Sequence, residues 1–231
     1  MPRVLVVCTV HNPQRASTGE LHWLLTRLRP EVLFLEHPPA AISSFRDCSC
    51  GTLESFAVAA YLRTQKAELV PVDVDTHSLE LPASKLEAHA DELFARLAET
   101  SPRYRALDFA HSSDVDEGGC LYLNSALGWR RESELHSQMR DIVEAAGDRS
   151  LTDLYELWVR THDSREYAFL AGVEAYAQSR SFSTGVLLVG AAHRAPLIEK
   201  SVALHQTGSL VTTWDFEWEL EDPGINLAAQ H

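Results

Sequence analysis

Two uninterrupted apolar runs, Val4-Leu5-Val6-Val7-Cys8 and Val32-Leu33-Phe34-Leu35, constrain the fold more than any other feature of the chain. A strand with no polar side chain has no wet face, so it is covered on both sides, as the strands of a parallel sheet are. Leu69 to Val74 reads as a third strand, and Val186 to Val189 as a fourth, buried one. The segments between them carry the period of helices instead. Ser17-Thr18-Gly19-Glu20 has capping-box spacing, Leu21, Leu24, Leu25 and Leu28 follow at helical intervals, and Pro30 ends the run. Leu53, Phe56, Ala57, Ala60 and Tyr61 mark a second helix, and Ser84-x-x-Glu87 opens a third along Leu86, Ala90, Leu93, Phe94 and Leu97. Strands alternating with helices predict an α/β fold, a mostly parallel central sheet flanked by helices.

Between Ser101 and about Arg131 the periodicity fades around Pro102 and Gly118-Gly119, which predicts a long surface loop or lid. Helical spacing returns at Leu135, Met139, Ile142, Val143 and Ala146, again from about Leu151, and again from about Asp163 to Gln178, as a helical insertion spanning about 101–180. A short helix is expected near Ala195-Pro196. Trp214, Phe216, Trp218 and Leu220 alternate with Asp215, Glu217 and Glu219, which predicts a strand with an acidic wet face and an apolar face available to a second subunit of a homodimer. One domain over 1–221 with a tail at 222–231 accounts for the chain.

With 20 Lys and Arg against 33 Asp and Glu, the formal charge is −13, which speaks against nucleic acid and anionic membrane as partners. The run Val4 to Val10 is too short to span a bilayer and does not read as a targeting segment. Cys8, Cys48, Cys50 and Cys120 are expected as reduced thiols of a cytoplasmic protein, and Asp47-Cys48-Ser49-Cys50 lacks the second pair that a metal site needs.

In an open parallel sheet, ligands sit beyond the carboxyl ends of the strands. The first strand runs out at His11, the second at Glu36-His37, the third at Asp73 and Asp75, and the fourth at His193. Each has an ordinary use in a loop or a cap, but together they place these titratable groups on one rim. Two imidazoles and a carboxylate suit Zn, Mn, Co or Fe, which would lower the pKa of bound water. Without a metal, the same His and Glu serve as a general base and its orienter. The residues alone leave both open.

The same residues resemble the TraB, PrgY, GumN and Tiki group, related in fold to the ChaN and erythromycin-esterase-like proteins. The resemblance rests on Cys8-Thr9-Val10-His11 after the first strand, Glu36 in Phe34-Leu35-Glu36-His37-Pro38, Arg165-Glu166 in Asp163-Ser164-Arg165-Glu166-Tyr167, and Gly190-Ala191-Ala192-His193. Cys8 replaces the Gly of the first motif, and Glu166 replaces an Asn after the arginine. Cys8 is expected to pack as a small apolar residue. Glu166 is expected as an extra ligand, an altered substrate contact or a mark of diverged activity.

The resemblance implies a divalent-metal-dependent hydrolase of a peptide or amide bond, acting on a peptide or small molecule. It implies His11, Glu36 and His193 around the reacting centre, with Arg165 at the oxyanion or a substrate carboxylate. A non-catalytic peptide or haem binder is the competing expectation, with His22, His111 and Tyr167 as candidate haem contacts. The segment His111-Ser112-Ser113-Asp114-Val115-Asp116-Glu117 is expected as a solvated turn with no catalytic role.

Overall fold

The computed structural model describes residues 1–12, 14–74, 79–81 and 83–218. Asp75, Glu219, Leu220 and the tail at 222–231 lie outside them. In chain order the elements are β1 (Arg3–Thr9), α1 (Thr18–Leu28), β2 (Val32–Leu35), α2 (Ile42–Arg46), α3 (Leu53–Leu62), β3 (Glu68–Pro71), α4 (Ala83–Thr100), α5 (Pro102–Leu123), α6 (Ala126–Ala146), α7 (Arg149–Ser179), β4 (Thr184–Gly190), α8 (Arg194–Gln206) and β5 (Thr213–Asp215).

The sheet is parallel throughout, with strand order β3-β2-β4-β1-β5. The late strand β4 therefore lies between β1 and β2, pairing Thr9 with Gly190 and Leu35 with Leu188. Both faces are covered, as the apolar runs require. Leu5 and Val7 pack with Leu33, Leu35, Leu188 and the helices α1 and α3 on one face. Their neighbours Val4 and Val6 pack with Phe34, Leu187, Val189 and α7 on the other. Helix α1 is capped by Ser17, whose hydroxyl accepts from Gly19 N–H, and ends at Arg29 in the left-handed region.

A separate helical layer is built from α4, α5, α6 and the first half of α7 around Leu93, Leu97, Tyr104, Leu135, Met139, Leu151 and Trp158. Its existence corrects the loop expected over 101–131, where α5 and the start of α6 stand. Ser101 caps α5 by accepting from Tyr104 N–H, and Pro102 occupies the first turn, where its missing N–H is no loss. The Gly118-Gly119 pair is a kink inside this helix rather than its end. Gly119 has φ +51°, and a Cβ there would meet the Glu20 carboxylate at 2.1 Å. Glu20 accepts from Cys120 N–H at 2.9 Å in that space.

The two helices expected from Leu151 and from Asp163 are one helix of 31 residues, α7, because Asp163 and Ser164 interrupt the apolar spacing without interrupting the backbone ladder. Its first half closes the helical layer and its second half, through Phe169, Leu170 and Val173, covers the sheet. Helix α8 runs for 13 residues, longer than expected. Two strands are shorter than their sequence pattern. β3 stops at Pro71, and β5 covers only three residues, after which Trp218 is buried against the α1 and α3 face with its indole N–H donating to Val6 O. The Asp215 side of β5 is not simply wet, since Asp215 pairs with Arg3.

Among the described residues no helix is long and apolar enough to cross a membrane. All four cysteines are free thiols. Cys8 packs against Val115 and Leu123, and burial pushes its thiol up to about 12, so it behaves as a small apolar residue.

Candidate functional site

β1, β4 and β2 are adjacent, so their carboxyl ends deliver His11, His193 and Glu36 to one place. Glu36 stands at the centre with its side chain 4 % exposed. Its Oε1 accepts from Arg165 Nη2 at 2.5 Å and faces His11 Nε2 at 3.5 Å and His193 Nε2 at 3.4 Å. Its Oε2 accepts from Gly190 N–H at 2.6 Å.

Arg165 reaches in from α7. Its Nε and Nη2 also donate to Asp73, at 3.2 and 2.7 Å, and its Nη1 lies 3.3 Å from His193 Nε2. Asp73, just past β3, is thus the partner that holds the guanidinium in line.

Each imidazole is held from behind by a carboxylate. His11 Nδ1 bonds Glu54 Oε1 at 2.9 Å, and Glu54 also accepts from the Thr9 hydroxyl at 2.5 Å. His193 Nδ1 bonds Glu166 Oε1 at 2.8 Å, and Lys200 donates to Glu166 Oε2 at 2.8 Å. In both rings the nitrogen left over, Nε2, faces Glu36. The two rings differ in access: the His11 side chain is 53 % exposed and that of His193 only 3 %.

The charges are interdependent. Four carboxylates (Glu36, Glu54, Asp73 and Glu166) surround the two imidazoles and Arg165, and Lys200 is shared between Glu166 and Asp163, so negative charge outnumbers the permanent cations and favours protonated imidazoles. The charge on Glu36 raises His11 well above the usual imidazole range against the pull of burial, with hydrogen bonds to Glu36 and Glu54 adding to it. Burial opposes ionisation of Glu36, but Arg165, His11 and His193 outweigh it and hold the carboxyl well below its ordinary value. Burial lowers His193, and Glu36 with Glu166 more than compensates, leaving it raised. The neighbouring His162 ring meets that of His193 in a tilted contact at 4.8 Å; burial, then the charge of His193, holds it well below its ordinary value.

His11, Glu36, Arg165, Glu166, His193 and Asp73 are therefore all brought together. His37 is turned away, with its Nε2 bonded to Ala41 O at 2.8 Å and its ring against Phe45. Glu166 does not face the mouth of the site: both of its oxygens are taken by His193 and Lys200, so it positions an imidazole. His111 is not in a solvated turn but inside α5, bound to Glu132 and Tyr122. His22 lies on α1, and Tyr167 is exposed on α7 with its ring 5.4 Å from Lys200 Nζ. The sequence reading missed Glu54, Lys200 and His162. Glu54 left one trace, a carboxylate on an otherwise apolar helix face, and it reads there as an ordinary first-turn acid.

The donor set meets a metal ion only in part. Two imidazoles with carboxylate-held Nδ1 atoms are oriented as metal-binding histidines usually are. Arg165, however, stands on the Glu36 oxygen that both Nε2 atoms face. Among the described residues no group of three His, Cys, Asp or Glu is gathered so that it could hold a metal ion as it stands. Comparison with family models, with curated proteins and with solved structures finds no match to this chain.

Proposed function

We propose that the strand-end cluster is the active site of a hydrolase that cleaves a peptide or amide bond in a peptide or small-molecule substrate. One observation carries the reading: a half-exposed imidazole, His11, is fixed at Nδ1 by a buried carboxylate and presents Nε2 at the mouth of a charged site. That is the arrangement of a general base with its orienter. His11 Nε2 takes the proton of the attacking water and returns it to the leaving amine. Glu54 fixes the tautomer and offsets the imidazolium charge. Glu36 sets the proton affinity of both imidazoles, and Arg165 with His193 supplies positive potential behind the developing oxyanion.

Since the charge on Glu36 raises His11, the basic form appears only above neutrality, and kcat/KM should climb on an alkaline limb. H11A should lower kcat by about 10²–10⁴ with an unchanged circular dichroism spectrum, tested on a panel of peptides and amides. E54Q should move the limb to lower pH while reducing its plateau, because it removes one of the charges that raise His11. Hydrolysis by H11A at the wild-type rate would sink the reading.

A metal-assisted form of the same reaction is the second reading, favoured by the shared orientation of the two Nε2 atoms towards Glu36. It requires Arg165 to give up Glu36 Oε1. His11, His193 and Glu36 would then hold Zn, Mn, Co or Fe, and the ion would supply an activated water. Elemental mass spectrometry separates the two: about one ion per chain, lost in H11A and H193A at matched folding, selects the metal-assisted form. Turnover that persists after chelation, with no ion retained, selects the metal-free one.

A further inference from the structure

A cavity of about 260 Å³ opens where α6, α7 and α8 meet, behind His193 and apart from the mouth at His11. That volume lies just under the roughly 300–1,000 Å³ of pockets for drug-sized ligands, so the occupant is small. One wall is aromatic: Trp158, itself buried, stacks with Tyr155 at 6.4 Å and 21° and meets His162 in a tilted contact at 4.2 Å and 33°. His162 donates its Nδ1–H to Trp158 O at 2.9 Å, which leaves Nε2 as an acceptor. The charges on the rest of the lining are unequal in their freedom. Lys200 is already committed to Asp163 at 2.6 Å and Glu166 at 2.8 Å. Arg140 and Glu199, both exposed, have no ion-pair partner among the described residues. A ligand that meets this lining carries one negative group, one positive group and a flat ring; a simple acid or a simple amine leaves one of the two charges unmatched.

We infer that this cavity is a binding site for a free aromatic amino acid, its carboxylate on Arg140, its ammonium on Glu199 and its ring against Trp158 and Tyr155. Stacking and the paired charges supply the affinity. The site is distinct from the proposed reacting centre, yet His162 and Glu166 line the cavity and also touch His193. An occupant therefore borders the group that Glu166 holds. Molecules of this class are released when a peptide hydrolase acts at a terminal aromatic residue, so the cavity suits a product or a sensor of product.

The test is calorimetric titration of the full chain with L-phenylalanine, phenylacetate and phenethylamine, which reads binding without any turnover. L-Phenylalanine should bind at least tenfold more tightly than either single-charge analogue. R140Q and E199Q, both at exposed positions that should leave the fold intact, should each weaken it several-fold or more. Absence of binding at millimolar concentration overturns the inference, as does equal affinity for phenylacetate, or wild-type affinity in both variants. None of these outcomes depends on whether the cluster at His11 hydrolyses anything.

Discussion

The chain contains a buried glutamate flanked by two histidines twice, and the two copies do different things. At the strand ends Glu36 lies between His11 and His193. In the helical layer Glu132 of α6 lies between His111 Nε2 at 3.2 Å and His136 Nε2 at 3.6 Å. The second trio is closed, with all three side chains no more than 16 % exposed, and among the described residues no guanidinium pairs with Glu132. His111 is tied off at Nδ1 by the Tyr122 hydroxyl, at 3.0 Å. It cross-links α5 to α6. The first trio has the same residue types, but one imidazole faces solvent and a guanidinium is held against the central carboxylate. Residue type alone does not make a reactive site; access and the charge placed beside the carboxylate do.

The largest effect expected from this comparison is on activity. H11A should cost the two to four orders of magnitude given above, whereas H111A should leave turnover per folded molecule unchanged. A large loss in H111A would place chemistry in the helical layer and break the contrast. Stability comes next. E36A strips a buried partner from Arg165 and two imidazoles, and E132A strips the carboxylate that His111 and His136 share. Each should cost roughly 3–5 kcal/mol in urea unfolding, the usual penalty for leaving a buried charge without its partner. Equal losses would mean that the two trios are equally structural and differ only in reactivity.

The smallest effect is in the pH dependence of stability. Burial works against ionised Glu132, but its hydrogen bonds and charge interactions with His111 and His136 hold the carboxyl down at about 2. A depressed carboxylate stabilises the fold above its unfolded value and loses that contribution as pH falls, here from about 4.5 towards 2. His11 and His193 are raised instead, so their contribution is full below an unfolded value of about 6.5 and fades as pH rises through their folded values. E132Q should flatten part of the acid arm of the stability profile, while H11A should flatten the alkaline arm. Identical profiles for the two variants would remove the distinction.

Legibility in the sequence divides along similar lines. β1, β2 and β4 were readable because each is a run with no wet face, and α1 because Ser17 and Leu21 to Leu28 announce its start and its buried side. His11, Glu36 and His193 were readable because each follows such a run. Helix α5 was not, although Ser101-Pro102 is a proper start signal. Its glycine pair looks like a break, and only the Glu20 carboxylate that fills the space beside Gly119 explains why the helix continues. β5 was over-read for the opposite reason: Trp214, Phe216 and Trp218 alternate, but Trp218 leaves the sheet to hydrogen-bond Val6 O.

By itself, the sequence determined that the chain forms a parallel α/β sheet covered on both faces and that titratable groups collect at its carboxyl edge, because apolar periodicity and strand direction are local properties. Only the tertiary structure decided that β4 inserts between β1 and β2. That order depends on which helices cover which face, and it alone puts His193 beside His11 and Glu36. It also decided that Glu54, Glu166 and Lys200 stand behind the imidazoles. Those pairings join residues 27 to 43 positions apart, and such distances are set by packing rather than by any pattern along the chain.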